Sequence, residues 1–202
     1  MTHLKGEFAM STLAKYYRRL TLQSLRLARD VRGFAAVEFA MIVPIMVIML
    51  MGCVETSDAL TVSSRMINIS GSVADMVARC TTIEKSDLND IMAISDSLLG
   101  RYTPQALYIE IIAIQADANG NTTVSWSFDH NQAQPIAAGT PYTNIPQGLV
   151  SPNGALIIAK ATYQYHSPMG HFIHGNIALS HTAYNAPRMG AVTLSTTQAC
   201  VY

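Results

Sequence analysis

Four histidines near the C-terminus come closer to a metal-binding pattern than any other residues of the sequence. They follow one another at spacings of five, three and seven residues: His166, His171, His174 and His181. Imidazole nitrogens bind zinc, and a loop after a strand could bring such residues together. The cluster contains no Cys, Asp or Glu, and ordinary surface or half-buried histidines explain it equally well. We therefore predict no metal and no cofactor, with zinc binding by these four residues as the alternative that equilibrium dialysis would test.

Catalytic motifs and a basic surface are both missing from the sequence. There is no G-x-S-x-G, H-E-x-x-H, P-loop or dinucleotide-binding motif, and Ser, His and Asp residues are common without a spacing that indicates a triad. The chain of 202 residues carries 13 Lys and Arg against 13 Asp and Glu, so its formal net charge is zero. A neutral chain argues against binding to nucleic acid through a basic surface. We predict a protein that is not an enzyme and has no nucleic-acid partner.

One carboxylate lies inside an apolar stretch. Residues 33–54 read GFAAVEFAMIVPIMVIMLMGCV, and Glu38 is the single charged residue among them. A helix of this length spans roughly 33 Å at about 1.5 Å per residue, which is one bilayer crossing. The sequence therefore predicts a transmembrane helix over residues 34–54. An ionised carboxylate at the centre of such a helix costs about 2.5–3.5 kcal/mol, so Glu38 needs either a partner or access to the headgroups.

The charges on the two sides of this stretch give it a direction. Residues 1–32 hold seven Lys and Arg against two Asp and Glu, whereas residues 55–202 hold six against ten. The positive-inside rule then predicts a cytoplasmic N-terminus and a translocated C-terminal part, in a single-pass membrane protein. A secretory signal peptide has a similar pattern, but this apolar run is too long and lacks an A-x-A site.

The residues around Glu38 resemble a known processing site. A basic segment with Arg29 and Arg32 precedes Gly33, and GFAAVEFAMIVPIMVIML follows, with the glutamate at the fifth place after the glycine. This pattern resembles type IV prepilins, and in particular the TadE-like pseudopilins of the tight-adherence (Flp) pilus. A shorter similarity to that family lies at residues 184–188, which read Tyr-Asn-Ala-Pro-Arg.

The resemblance implies a role in pilus assembly. A membrane prepilin peptidase of that family cuts after the glycine, which here removes residues 1–33 as a leader and leaves Phe34 as the new N-terminus. Its ammonium group could then pair with Glu38 of a neighbouring subunit and set the register of assembly. The implied partners are the peptidase, other pilin subunits with their assembly machinery, and inner-membrane lipid. The alternative is an uncleaved, membrane-anchored periplasmic binding module in which Glu38 is incidental.

The membrane segment is predicted to continue into an amphipathic helix. Apolar residues recur at helical spacing after residue 54, at Val62, Met66, Ile69, Val73, Met76 and Cys80. We therefore predict one helix from about Phe34 to Cys80, with residues 55–80 as its amphipathic extension. Residues 81–202 would form a periplasmic head, and a long N-terminal helix lying on a small head is the pilin architecture.

The head is predicted to be α+β. Ser86 is a candidate N-cap of a short helix that ends near Leu99, with Gly100 as its stop. Alternating and β-branched runs predict an antiparallel sheet of about four strands, with residues 130–154 as a long loop. The predicted strands cover residues 106–115, 122–129, 155–166 and 176–184.

The cysteines suggest one disulfide. Cys53 falls within the membrane stretch, whereas Cys80 and Cys200 both fall on the translocated side, where oxidation is favoured. We predict a Cys80–Cys200 disulfide that ties the C-terminal segment to the long helix.

Overall fold

The computed structural model describes residues 32–102, 106–167, 170 and 175–200. The predicted leader therefore lies outside the described residues, apart from its last two positions. The chain divides into two compact units, Met1–Gly52 and Cys53–Tyr202, which are described separately below.

Helix α1 runs from Arg32 to Arg79. In the first unit its surface is apolar and uncovered, with Pro44 inside the helix and Phe34, Phe39 and Met41 each at least 65 % exposed. Among the described residues, this is the only helix that is long and apolar enough to cross a membrane. The finding fits a single-pass membrane protein, because such side chains are stable in lipid and a proline within a membrane helix is tolerated there.

In the second unit, α1 buries the predicted apolar stripe. Val62, Met66, Ile69 and Val73 are fully buried, and they belong to the main core together with residues of the sheet. The apolar stripe predicted from its helical spacing is thus confirmed as the face of α1 that packs in the main core. The helix ends at Arg79, one residue before the predicted end.

Four antiparallel strands form the sheet, as predicted, in the order β3-β2-β4-β5. They are β2 (Leu107–Ala116), β3 (Thr122–Asp129), β4 (Ala155–His166) and β5 (Asn176–Asn185). The β2–β3 hairpin turns where the Asp117 carboxylate accepts hydrogen bonds from the backbone N–H groups of Asn119 and Asn121, each at 2.8 Å. Gly120 sits between them with φ +84°, a conformation that favours glycine.

Both faces of the sheet are covered. Alternate residues such as Ile109 and Ala159 face the main core with α1, whereas Ile112 and Ile158 belong to a second cluster on the outer face. Residues of the 130–154 loop, among them Tyr142, pack against that second cluster. We predicted this loop from its Gly and Pro content, and the structure shows that it covers the outer face of the sheet. The sequence alone did not predict that packing.

Two short strands and a second helix complete the head. Strand β1 (Thr82–Glu84) pairs in parallel with β6 (Thr193–Ser195), and neither strand was predicted. Helix α2 runs from Lys85 to Leu98, so the predicted N-cap at Ser86 is wrong and Glu84 occupies that position. The reason is Asp87, whose carboxylate accepts a hydrogen bond from the Glu84 N–H at 3.0 Å and fixes the start of the helix.

A disulfide joins Cys80 at the end of α1 to Cys200, across a sequence separation of 120 residues. The N–H of Cys200 also donates to the Asp87 carboxylate at 2.7 Å. The C-terminal segment is therefore attached next to the start of α2.

Candidate assembly segment and the Asp58 cluster

The predicted processing bond lies in the first turn of α1. The helix begins at Arg32, so Gly33 and Phe34 belong to the turn whose N–H groups have no partner within a helix. Among the described residues, and apart from the backbone of α1 itself, no atom lies within 4 Å of the place where a Cβ on Gly33 would stand, and Phe34 is 65 % exposed. The described residues thus leave this bond uncovered, and unwinding the first turn of α1 breaks few backbone hydrogen bonds.

Glu38 is exposed on the same helix. It follows Phe34 by four residues, a spacing that places two side chains on one face about 6 Å apart along the axis. Within the described part of the chain, Glu38 makes no hydrogen bond or ion pair. Its neighbours on the helix are apolar and exposed, so the carboxylate is available to a cation from outside the chain.

The second unit contains a cluster of polar side chains that contact one another, and the sequence analysis did not predict it. We call it the Asp58 cluster, and its members are Asp58, Arg65, Arg101, Tyr102 and Tyr165. Asp58 on α1 accepts hydrogen bonds from the Tyr102 hydroxyl at 2.9 Å and the Tyr165 hydroxyl at 3.1 Å, and it pairs with the Arg101 guanidinium. Both carboxylate oxygens are therefore occupied, and α1 is tied to β4 and to the segment after α2.

Two arginines lie against the Tyr102 ring. The Arg65 and Arg101 guanidinium carbons are 5.6 Å and 5.1 Å from its centroid, within the range of cation–π attraction. Arg65 also donates to the Leu98 carbonyl oxygen at 2.9 Å and so caps the end of α2. Gly100 passes beside it with φ +67°, and a Cβ there would stand 3.0 Å from Arg65 Nη1.

The chemistry of the Asp58 cluster is structural. Burial, followed by the hydrogen bond to the Asp58 carboxylate, raises the pKa of Tyr165 to about 12. The phenol is therefore neutral near pH 7 and donates a hydrogen bond to a fixed acceptor. A signal in the sequence existed, because Asp58 precedes Val62 by four residues and so extends the buried stripe with a carboxylate that needs partners.

The Tyr-Asn-Ala-Pro-Arg segment at residues 184–188 reaches the other end of the α1 extension. The Arg188 N–H donates to the Ala78 carbonyl at 3.1 Å, and its guanidinium lies 3.5 Å from the Asp75 carboxylate. The Arg79 side chain binds the same carboxylate, and its hydrogen bond, with the charges of both arginines, lowers the pKa of Asp75. The segment thus connects the end of β5 with the last turns of α1.

The predicted histidine cluster is only partly described. His166 ends β4, and His181 on β5 has its Nε2 3.0 Å from the Ser63 hydroxyl oxygen on α1. His171 and His174 lie outside the described residues. Among the residues with described positions, no group of three or more His, Cys, Asp or Glu side chains could hold a metal ion.

Comparison with known proteins identifies the segment that contains Glu38. No curated protein and no solved structure matches the chain. Residues 33–75 match the family model described as TadE-like protein, a family associated with the tight-adherence pilus. This range starts at the predicted processing glycine and covers most of α1, so it confirms the resemblance found in the sequence. Residues 33–75 of the chain are thus similar to the TadE-like family.

Proposed function

We propose that this protein is a minor pilin or pseudopilin that joins or primes a tight-adherence pilus. Its part is structural: residues 34–54 hold it in the inner membrane, the head faces the periplasm, and α1 provides the assembly surface. The observation that carries the proposal is Glu38, an exposed carboxylate without a partner in the described chain, on an apolar helix within the TadE-like segment.

Cleavage after Gly33 is the step that supplies the missing partner. It creates an ammonium group on Phe34, at the start of an apolar helix that also carries Glu38. In lipid, each of these charges is costly by itself, and a pair between neighbouring subunits removes that cost on both sides. Subunits joined by this pair are held in one axial register.

N-terminal sequencing of the mature protein from the membrane fraction tests the processing step. We expect a chain that begins at Phe34 when the matching prepilin peptidase is present, and one that begins at Met1 or Thr2 when it is absent. An intact leader in both strains would overturn the processing proposal and support the uncleaved binding module.

Glu38→Gln tests the role of the charge and keeps the shape of the side chain. We expect normal cleavage but few or no assembled pili, counted by electron microscopy and by shearing the fibres from the cells. Glu84→Gln in the head is a control with the same change of charge. Equal pilus numbers in the two variants would show that Glu38 does not act in assembly.

A further inference from the structure

A small pocket opens on the outer face of the sheet, beneath the 130–154 loop. Its volume is about 120 Å³. Ile112, Ile136 and Ile158 supply its apolar part. Six polar side chains surround it: Glu110, Tyr142, Asn144, Lys160, Thr182 and Tyr184.

The positions of these side chains follow from the register of the strands. Glu110 on β2 lies opposite Lys160 on β4, which in turn lies opposite Thr182 on β5. Ile158 and Tyr184 form the next row on the same face. Directly opposed residues have Cβ atoms about 4.5–5.5 Å apart, so the row presents an anion, a cation and a hydroxyl within a small area.

The polar groups of the pocket are not used within the protein. In the part of the chain that the structure describes, none of the six side chains makes a hydrogen bond or an ion pair, and Glu110 and Lys160 do not pair with each other. The Asp58 cluster, by contrast, has both oxygens of its carboxylate bound. Burial and the nearby Glu110 carboxylate raise the pKa of Tyr142, which is therefore a neutral donor.

The two opposite charges restrict the ligand. An anion would bind near Lys160 but be repelled by Glu110, and a cation would bind near Glu110 but be repelled by Lys160. A neutral ligand would offer neither side chain a charged partner. A small molecule with an ammonium and a carboxylate on one carbon satisfies both groups. Its substituent would lie on the isoleucine side chains, and the volume limits that substituent to a small one.

We propose that the outer-face pocket binds a free α-amino acid with a small side chain, its ammonium on Glu110 and its carboxylate on Lys160. The tyrosine hydroxyls, Asn144 and Thr182 supply further hydrogen bonds. The site lies in the head and does not depend on cleavage at Gly33.

Methyl NMR of the full chain in detergent micelles tests the proposal with L-alanine as the probe. The methyl groups of Ile112, Ile136 and Ile158 report from the pocket, while Ile83 and Ile69, which belong to the main core, serve as internal references. We expect saturable shifts of the three pocket signals only. L-Alaninamide, which lacks the carboxylate, and N-acetyl-L-alanine, which lacks the ammonium, should each bind at least tenfold more weakly.

Variants identify the charged groups. Glu110→Gln and Lys160→Met should each weaken L-alanine binding at least tenfold, while Asp90→Asn and Lys85→Met, which change exposed residues of α2, should leave it unchanged. The proposal is overturned if the pocket signals do not move up to the solubility limit of L-alanine. It is also overturned if both analogues bind as well as L-alanine, or if glucose binds more tightly than any of them. The analogue series uses the unaltered chain, so it decides the question even if a variant fails to fold.

Discussion

Removing the Cys80–Cys200 disulfide should destabilise the head by several kcal/mol. The bond closes a loop with a sequence separation of 120 residues, and the chain-entropy relation gives about 5 kcal/mol for a loop of that size at 25 °C. Measured losses for native disulfides fall near 2–5 kcal/mol, which is a large part of the roughly 5–15 kcal/mol that stabilises a domain. We expect Cys80→Ser/Cys200→Ser to lose 3–5 kcal/mol on this basis.

Trp126 provides the assay. It is the only tryptophan of the chain, it is buried, and its Nε1–H donates to the Val192 carbonyl oxygen at 2.8 Å. Its fluorescence therefore reports both the unfolding of the head and the loss of the C-terminal segment that the disulfide holds. Urea titrations of the full chain in detergent, followed at this residue, give the free energy of unfolding for the wild type and the double variant.

The control for the disulfide experiment is Cys53→Ser, which removes the free, exposed cysteine and should leave the unfolding curve unchanged. A loss below about 1 kcal/mol in the double variant would refute the reasoning, because even a loop of 15 residues gives about 3 kcal/mol in the same relation. Such a result would mean that the other contacts of the C-terminal segment, among them the β1–β6 pairing and the Trp126 hydrogen bond, hold it in place without the disulfide.

Three further predictions concern the packing of the head. Ile109→Ala removes a fully buried side chain between the sheet and α1 and should cost about 2–5 kcal/mol in urea titrations. Gly100→Ala should cost about 1–3 kcal/mol, because alanine is strained at φ +67° and its Cβ would crowd Arg65. Tyr165 ionises near pH 10 in the unfolded chain but near pH 12 in the folded one, so folding stability should fall as pH rises from 10 to 12. That fall should be smaller in Tyr165→Phe, as measured by the same titrations at stepped pH.

Local patterns in the sequence predicted most of the elements correctly. The α1 stripe, the β2–β3 hairpin and the two later strands each follow from a period of 3.6 or 2 and from turn residues such as Asp117 and Gly120. These signals lie within a few residues of one another, so no knowledge of distant contacts is needed.

The features that the sequence did not predict depend on contacts between distant residues. Strands β1 and β6 have three residues each, too few to show a period, and they exist because the C-terminal segment returns to α1. Glu84 became the N-cap because Asp87 binds its N–H, while Ser86 had the more typical residue type. Asp58 meets Tyr165 across 107 residues of sequence, so neither residue alone indicated the cluster.

The C-terminal segment is tied to the head and to the end of α1 by four different kinds of contact. A disulfide at Cys200, β-pairing at Thr193, a Trp126 hydrogen bond at Val192 and the Arg188 contacts act at separate points. If α1 carries the assembly surface, force on the extension reaches the sheet through both the Asp58 cluster and this segment. The extension should therefore stay docked on the head when either connection is broken alone, because Val62, Met66 and Ile69 remain buried in the main core.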